Sequence, residues 1–174
     1  MIASPDHLNG FKNVSVSALL RLLLTSDGTL IDHLLALSMQ PIHFELLSQE
    51  ETSIDAVDLM DWPDLAPGCK GIERRVWLRV DQPPIAIFAC SFFPLKGLPP
   101  WVHREMLSLQ LPLGKILQHL PIRRHRIRIR RETVPVMSAQ MGCSPEELFW
   151  VRRYRLTLPD GYTGAIFEAF PPQF

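Results

Sequence analysis

The C-terminal segment of the chain constrains its fold more than any other stretch. It reads VRRYRLTL, then PDG, then YTGAIFEAF, so two runs of strand-forming residues are separated by residues typical of a turn. In the second run Ile166 and Phe170 share one face, while Phe167 and two alanines share the other. A strand that is apolar on both faces must be covered on both sides. We therefore predict a C-terminal β-hairpin whose last strand is buried.

Glu168 lies within this apolar strand and needs a partner. An ionised carboxylate is costly to bury unless a cation or hydrogen-bond donors pair with it. The partner we favour is Arg79, which ends an amphipathic strand and whose planar guanidinium can hold a carboxylate of a side chain or of a ligand by two hydrogen bonds. Two alternatives stay open. In the first, Arg79 is simply exposed on its strand. In the second, Glu168 forms a structural salt bridge that has no part in catalysis.

The rest of the chain predicts short helices and strands joined by short connections. The stretch SALLRLLLTSDGTLIDHLLAL predicts a helical hairpin, with Ser15 or Ser17 capping the first helix and Asp27 the second. Strands are predicted at about residues 40–48, in GIERRVWLRV and in IAIFACSFFP. Two helices follow in LPPWVHREMLSLQ and LPLGKILQHL, then a strand in IRRHRIRIRRETV. A short helical excursion is predicted in PVMSAQMGCSPEELF, with a second helix start at Ser144. This order predicts an α+β fold with a single antiparallel sheet and helices clustered on one side.

The length and composition suit one domain without a strong electrostatic partner. The chain has 174 residues, within the range of about 100–200 for a domain, so we predict one domain over 1–174, with 1–14 loosely ordered. The formal net charge is zero, which favours neither a nucleic acid nor a membrane surface. No apolar run spans a membrane, no secretory signal is recognisable, and three cysteines are widely spaced. We therefore expect a reducing, cytoplasmic location.

The run RRHRIRIRR at residues 123–131 is the most strongly charged stretch. Alternation predicts that Arg124, Arg126, Arg128 and Arg130 project from one face of a strand. Charge density alone favours nucleic-acid binding. The neutral chain and the lack of a docking motif favour a solvated strand face instead, from which one or two arginines add positive potential to an anion site. We expect no nucleic acid among the partners.

With these segments in place, the chain resembles the chorismate pyruvate-lyase family, and within it the branch found in photosynthetic organisms. The matching stretches follow the family's order and are SDGTLIDHLLAL, RRVWLRV, FPLKGLPP, LPLGKIL, IRRET and VRRYRLTLPDGYTGAIFEAFP. The specific parts are WLR, PLG and the final RRYR-turn-E-x-F-P segment. The match covers most of residues 20–172. It implies a chorismate-lyase-like fold with an internal ligand cavity beneath helical flaps.

The resemblance also implies which residues form the aromatic-acid site. The family's arginine in WLR corresponds to Arg79, its leucine in PLG to Leu113, and its glutamate before the terminal F-x-P region to Glu168. A further pocket residue of the first helical hairpin corresponds to a position near Leu30. Arg79 and Glu168 would be the catalytic pair, and no cofactor or metal is implied.

Two departures from the bacterial-type enzymes concern the second carboxylate of chorismate. Val80 follows WLR directly, where those enzymes have an acid, and they have a further arginine in the region of Cys90 and Ser91. This chain has none there, so another cation must hold the enolpyruvyl carboxylate. Arg75 or an arginine of residues 123–131 is the candidate.

The activity that the resemblance implies is conversion of chorismate to 4-hydroxybenzoate and pyruvate, by a monomer that supplies a quinone-type pathway. Such an enzyme fixes the substrate and stabilises shifting charge. Glu168 either donates a hydrogen bond when protonated or assists proton removal when ionised, and a pericyclic hydrogen transfer needs no base. The interpretation requires a guanidinium of the WLR strand, expected to be that of Arg79, to converge with Glu168 on one enclosed cavity.

The alternative function is a non-catalytic homologue of the same fold that binds an aromatic acid. The fold also serves as the ligand-sensing module of certain transcription regulators. Those regulators carry a separate DNA-binding domain, for which we expect no room in 174 residues filled by lyase-like segments.

Overall fold

A computed structural model of the chain describes residues 11, 16–26, 28–59, 65–82, 84–108 and 111–172. Apart from Phe11, the segment 1–14 that we expected to be loosely ordered lies outside these residues. Two of the predicted helix caps, Ser15 and Asp27, lie outside them as well.

One antiparallel sheet of six strands forms the centre of the fold. In chain order the strands are β1 (His43–Ser53), β2 (Lys70–Val80), β3 (Ile85–Pro94), β4 (Arg123–Thr133), β5 (Leu148–Thr157) and β6 (Thr163–Phe170). Their order across the sheet is β1-β2-β3-β6-β5-β4. Each neighbouring pair runs antiparallel. The predicted α+β fold with a single antiparallel sheet is confirmed, and the C-terminal strand β6 lies inside the sheet between β3 and β5.

Five α-helices occur in the described part of the chain. They are α1 (Ala18–Thr25), α2 (Leu30–Ser38), α3 (Pro100–Ser108), α4 (Leu113–Ile116) and α5 (Pro135–Met141), and a 3₁₀ turn covers Ile54–Ala56. The side chain of Ser17 caps α1 by accepting a hydrogen bond from the backbone nitrogen of Leu20 at 3.0 Å. No helix among the described residues is long and apolar enough to cross a membrane.

Helices α1 to α4 cover one face of the sheet, which we call the first face. Their apolar side chains, among them Leu23, Leu34 and Met106, pack with Ile87 and Ile166 of the strands in one buried cluster. Apolar residues three and four apart in α1 and α2 account for this packing, since they lie on one side of each helix. The predicted clustering of helices on one side therefore describes four of the five helices.

The opposite face, which we call the second face, is covered by α5 and the 3₁₀ turn. Met137 of α5 packs there with Trp77, Phe88 and Phe167. The rings of Trp77 and Phe88 meet edge to face with centroids 5.4 Å apart, and those of Phe88 and Phe167 with centroids 6.2 Å apart. Because β6 contributes to both apolar layers, its last seven residues are all buried.

Strand β4 does not alternate as its sequence predicts. Arg124 pairs with Leu156 of β5, whereas Arg128 pairs with Arg153, so the register shifts by one residue between the two pairs. Within this β-bulge, Arg126 has a φ of 54°. Since Leu156 belongs to the first face, Arg124 projects towards that face and is separated from the arginines that follow it. The prediction that all four alternating arginines share one face is wrong, because the bulge inserts an extra residue after Arg124.

The approach of β6 to β3 requires glycine at position 164. A Cβ atom there would lie 2.6 Å from the nearest ring carbon of Phe93, which is fully buried. We expect Gly164→Ala to lower the free energy of unfolding by about 1–3 kcal/mol, as overpacking does, measured by urea denaturation. Adding Phe93→Leu should relieve the clash, so the double variant should lose less than the two single losses added together. Additive losses would contradict this steric explanation.

Candidate ligand-binding site

A cavity lies between the first face of the sheet and the helices α2 and α4. It contains about 660 Å³ of empty space with its opening included. Its wall is mostly apolar. Its polar and charged side chains come from five strands and from the residue before α2, and they are Thr29, Arg74, Ser91, Arg124, Tyr154 and Glu168.

Three of the residues predicted for the site line this cavity. Glu168 contributes from β6, Leu113 from α4 and Leu30 from the first turn of α2. The sheet and the two helices therefore bring together residues that are far apart in the chain. Their roles in binding or catalysis are predictions that this placement does not test.

Arg79 does not reach the cavity. It lies on the second face of β2, where its guanidinium is 4.9 Å from the ring centroid of Trp77. Its Nε donates a hydrogen bond to Oε2 of Glu45 at 3.1 Å, and both side chains are partly exposed. Glu168 projects to the first face, so the prediction that Arg79 pairs with Glu168 is wrong. The physical reason is the alternation of β2, which turns Arg79 and the cavity residue Leu78 to opposite sides of the sheet.

The partner of Glu168 is Arg152, directly opposite it on the neighbouring strand β5. Oε2 of Glu168 accepts a hydrogen bond from Nε of Arg152 at 2.7 Å and lies 2.6 Å from Nη2. Oε1 of Glu168 accepts a hydrogen bond from the hydroxyl of Tyr154 at 3.1 Å. Arg152 is 1% exposed and Glu168 4%. Both carboxylate oxygens of Glu168 thus have donors, which is what a buried charge requires.

The same guanidinium also holds the end of α1. Nη1 of Arg152 donates hydrogen bonds to the backbone oxygens of Leu23 at 2.6 Å and Ser26 at 2.9 Å. Carbonyls at the C-terminus of a helix lack partners within the helix and carry partial negative charge. Burial is the largest single effect and lowers the pKa of Arg152, but Glu168 and Tyr154 together outweigh it and raise that pKa. Burial, and then Glu168, raise the pKa of Tyr154 as well.

Arg74 is the guanidinium of β2 that does face the cavity. It is 2% exposed and lies 5.3 Å from the ring centroid of Phe44. Nη2 donates a hydrogen bond to the backbone oxygen of Leu111 at 2.5 Å. Its Nε and Nη1 are buried without a hydrogen-bond partner among the described residues. Burial lowers the pKa of Arg74 to about 10, and donors left in this state favour an anion that would satisfy them.

The two candidates for a second cation face different sides of the sheet. Arg75 lies on the second face, 2.8 Å from Oε1 of Glu73 and 3.2 Å from Oδ1 of Asp58. Arg124 lies on the first face and lines the cavity, with its guanidinium 5.9 Å from the ring centroid of Tyr154. Among the residues that the structure describes, no three His, Cys, Asp or Glu side chains are grouped as metal ligands would be.

Sequence reasoning missed Arg74 and Arg152, although each left a signal. In GIERRVWLRV, Arg74 is the charged residue on the otherwise apolar face that carries Ile72, Val76 and Leu78. An arginine among apolar neighbours is as unusual as the glutamate that did draw attention. For Arg152 the signal is the hairpin register, because a tight turn determines which residues of its two strands face each other.

Removal of Arg152 should be far more damaging than removal of Arg79. In Arg152→Met the buried carboxylate of Glu168 loses its counter-ion, so we expect the free energy of unfolding to fall by about 3–5 kcal/mol. The control, Arg79→Met, removes a partly exposed pair with Glu45 and should cost less than about 1 kcal/mol. Urea denaturation measures both. Similar small losses in the two variants would contradict the structural role given to Arg152.

Solved structures with the same fold include an effector domain, a transcriptional regulator and a domain of a repressor. The effector domain of PhnF from Mycobacterium smegmatis is 13% identical with a TM-score of 0.62, over 84% of this chain and 90% of that one. A GntR-family transcriptional regulator from Bacillus cereus is 13% identical with a TM-score of 0.55, over 77% of this chain and 94% of that one. The C-terminal domain of the histidine utilization repressor from Pseudomonas syringae is 12% identical with a TM-score of 0.54, over 76% and 93%. At these identities the likeness shows the fold alone.

The family of the chain follows from its sequence. No curated protein matches the chain. The family model described as "Chorismate pyruvate-lyase Rv2949c-like" matches residues 24–174, which is most of the chain and confirms the resemblance seen in the motifs. The chain belongs to the chorismate pyruvate-lyase Rv2949c-like family.

Proposed function

We propose that the chain is a chorismate lyase that converts chorismate to 4-hydroxybenzoate and pyruvate in the cavity on the first face. One observation carries the proposal, namely that the buried guanidinium of Arg74, with two nitrogens lacking partners among the described residues, shares a cavity with Glu168. A carboxylate ligand would supply the acceptors that Arg74 lacks. Membership of the family supports the choice of chorismate as that ligand.

The positions of the two residues suit an aromatic acid with a hydroxyl opposite its carboxylate. Arg74 is on β2 and Glu168 on β6, with β3 between them, so their strands are about 10 Å apart at the usual spacing. A long arginine side chain and a small ring can bridge that separation. In this arrangement Arg74 binds the ring carboxylate, Glu168 accepts a hydrogen bond from the 4-hydroxyl, and Leu30 and Leu113 cover the ring. This assignment replaces Arg79 by Arg74 as the arginine of the WLR strand.

The reaction breaks two bonds of chorismate and leaves an aromatic ring. The C3–O bond to the enolpyruvyl group breaks, and C4 loses its hydrogen. In a pericyclic transfer that hydrogen passes to the methylene carbon of the enolpyruvyl group, which leaves as pyruvate. The protein contributes by holding the reactive conformation and excluding water. Glu168 orients the 4-hydroxyl as an acceptor, because both of its oxygens are held by Arg152 and Tyr154.

The proposal includes several features that come from the sequence and the family resemblance. The enzyme works without a cofactor, as a monomer in the cytoplasm. Its 4-hydroxybenzoate feeds a quinone-type pathway.

A second candidate function is binding of an aromatic acid without turnover. The observation that favours it is the fold shared with effector and ligand-binding domains of transcription regulators. The same contacts with Arg74 and Glu168 would serve such a role. The two candidates differ in whether chorismate is consumed.

Pyruvate release from chorismate distinguishes the two functions. We expect the purified chain to release one pyruvate for each 4-hydroxybenzoate. A lactate dehydrogenase assay measures the pyruvate, and the ultraviolet absorbance of the ring measures the 4-hydroxybenzoate. A chain that binds 4-hydroxybenzoate but releases no pyruvate would favour the binding module.

Glu168→Gln should lower kcat/KM about 10-fold, the effect of weakening one hydrogen bond to a charged group. A loss of 10³-fold or more in variant protein that remains folded by circular dichroism would instead indicate that Glu168 is a general base.

We expect the side chain of Arg74 to lower the stability of the ligand-free protein and to be required for binding of 4-hydroxybenzoate. We expect Arg74→Met to leave the free energy of unfolding unchanged or raise it by about 1–3 kcal/mol, because a buried cation without a carboxylate partner is replaced by an apolar side chain. The variant should also lose the increase in Tm that 4-hydroxybenzoate gives the unaltered chain. Arg130→Met, which changes an exposed arginine, is the control and should keep that increase. Thermal unfolding with and without ligand measures both effects.

A further inference from the structure

We infer that Arg124 binds a second acidic group of the ligand, so that the cavity is built for a cyclic dicarboxylate. The inference rests on the proposed function for the identity of that ligand. It assigns the role of second cation to a residue of β4, on the other side of Glu168 from Arg74.

The β-bulge in β4 brings Arg124 to the cavity. Ile127 and Ile129, which follow the bulge, belong to the buried cluster of the first face, and Arg124 lies before it on that same face. In a regular strand the side chains of residues 124 and 127 would point to opposite faces. The bulge therefore lets β4 bury its isoleucines and still turn one arginine into the cavity. Bulges that redirect a side chain in this way are frequent next to binding sites.

The order of the strands places the two arginines on either side of Glu168. Arg74 on β2 is two strands from β6 in one direction, and Arg124 on β4 is two strands from β6 in the other. Across the sheet, the strands of the two arginines are each about 10 Å from β6. Along β6, the register places Arg74 level with Ile166 and Arg124 level with Gly164. In chorismate the ring carboxylate is opposite the carbon with the hydroxyl, and the enolpyruvyl group is on the neighbouring carbon. With the hydroxyl at Glu168 and the ring carboxylate at Arg74, the enolpyruvyl carboxylate extends towards β4.

The surroundings of Arg124 hold its guanidinium at that end of the cavity. It lies 5.9 Å from the ring centroid of Tyr154, whose hydroxyl donates a hydrogen bond to Glu168. Among the described residues that line the cavity, Arg74 and Arg124 are the two arginines and Glu168 is the one acid. That acid is paired with Arg152. A ligand with two carboxylates would thus meet one guanidinium at each end.

The test compares two stable ligands that differ by the enolpyruvyl group with its carboxylate. The first is 4-hydroxybenzoate, and the second is 3-(1-carboxyvinyloxy)-4-hydroxybenzoate, which keeps the 4-hydroxyl and cannot lose its enolpyruvyl group by aromatisation because its ring is already aromatic. Calorimetry gives the affinity of each for the unaltered chain, for Arg124→Gln and for Arg124→Lys. Arg130→Gln is the matched control, since it neutralises an exposed arginine of the same strand.

We expect Arg124→Gln to weaken binding of the dicarboxylate about 10- to 100-fold, the loss of a charge-assisted hydrogen bond, with less than about a threefold change for 4-hydroxybenzoate. Arg124→Lys keeps the charge and should fall between Arg124→Gln and the unaltered chain. Arg130→Gln should change neither affinity. Equal losses for both ligands in Arg124→Gln, no loss for either, or tighter binding of the monocarboxylate by the unaltered chain would each overturn the inference.

Failure of this inference is distinguishable from failure of the proposed function. If the unaltered chain releases pyruvate and Arg124→Gln keeps the KM for chorismate, the inference is overturned and the lyase function stands. If the chain releases no pyruvate but prefers the dicarboxylate through Arg124, the lyase function is overturned and the inference stands.

Discussion

The ion pair between Arg152 and Glu168 joins the parts of the fold that surround the cavity. Glu168 belongs to the central strand, Arg152 to its neighbour, and the backbone oxygens that share the guanidinium belong to the end of α1. A buried ion pair adds little stability by itself, because desolvation offsets most of the attraction. Its main contribution here is to fix the positions of the groups that it joins. One side chain sets the direction of the carboxylate and the distance of the helical hairpin from the sheet.

Two buried arginines of the first face have opposite roles because their partners differ. Arg152 donates to a carboxylate and to two carbonyls, so its charge is satisfied within the protein. Arg74 donates to one carbonyl, and two of its nitrogens have no partner among the described residues. The first arginine is therefore satisfied within the protein, and the second is the one that we propose binds an anionic ligand. Natural proteins accept such local instability where binding requires it.

The sheet and its buried last strand could be predicted from alternation, but the partner of Glu168 depended on register. Arg152 and Glu168 each lie eight residues from Asp160 in the turn, so counting outward from PDG would have paired them. We chose Arg79 for its place at the end of an amphipathic strand and then for the WLR motif, although the alternation of β2 placed it on the face away from Leu78. The sequence contains no comparable signal for the bulge in β4. Arginine and isoleucine alternate across it, and only packing against β5 reveals which of them point inward.

The anchoring of α1 has a consequence for how a ligand enters and leaves. Movement of the α1–α2 hairpin away from the sheet would break two hydrogen bonds from Arg152 to backbone carbonyls at once. Helix α4 forms the facing wall with only four residues, none of them buried. The enclosure is therefore asymmetric, because buried hydrogen bonds anchor the α1 side, whereas the four residues of α4 are all partly or fully exposed. A displacement confined to α4 would leave both carbonyl contacts of Arg152 intact.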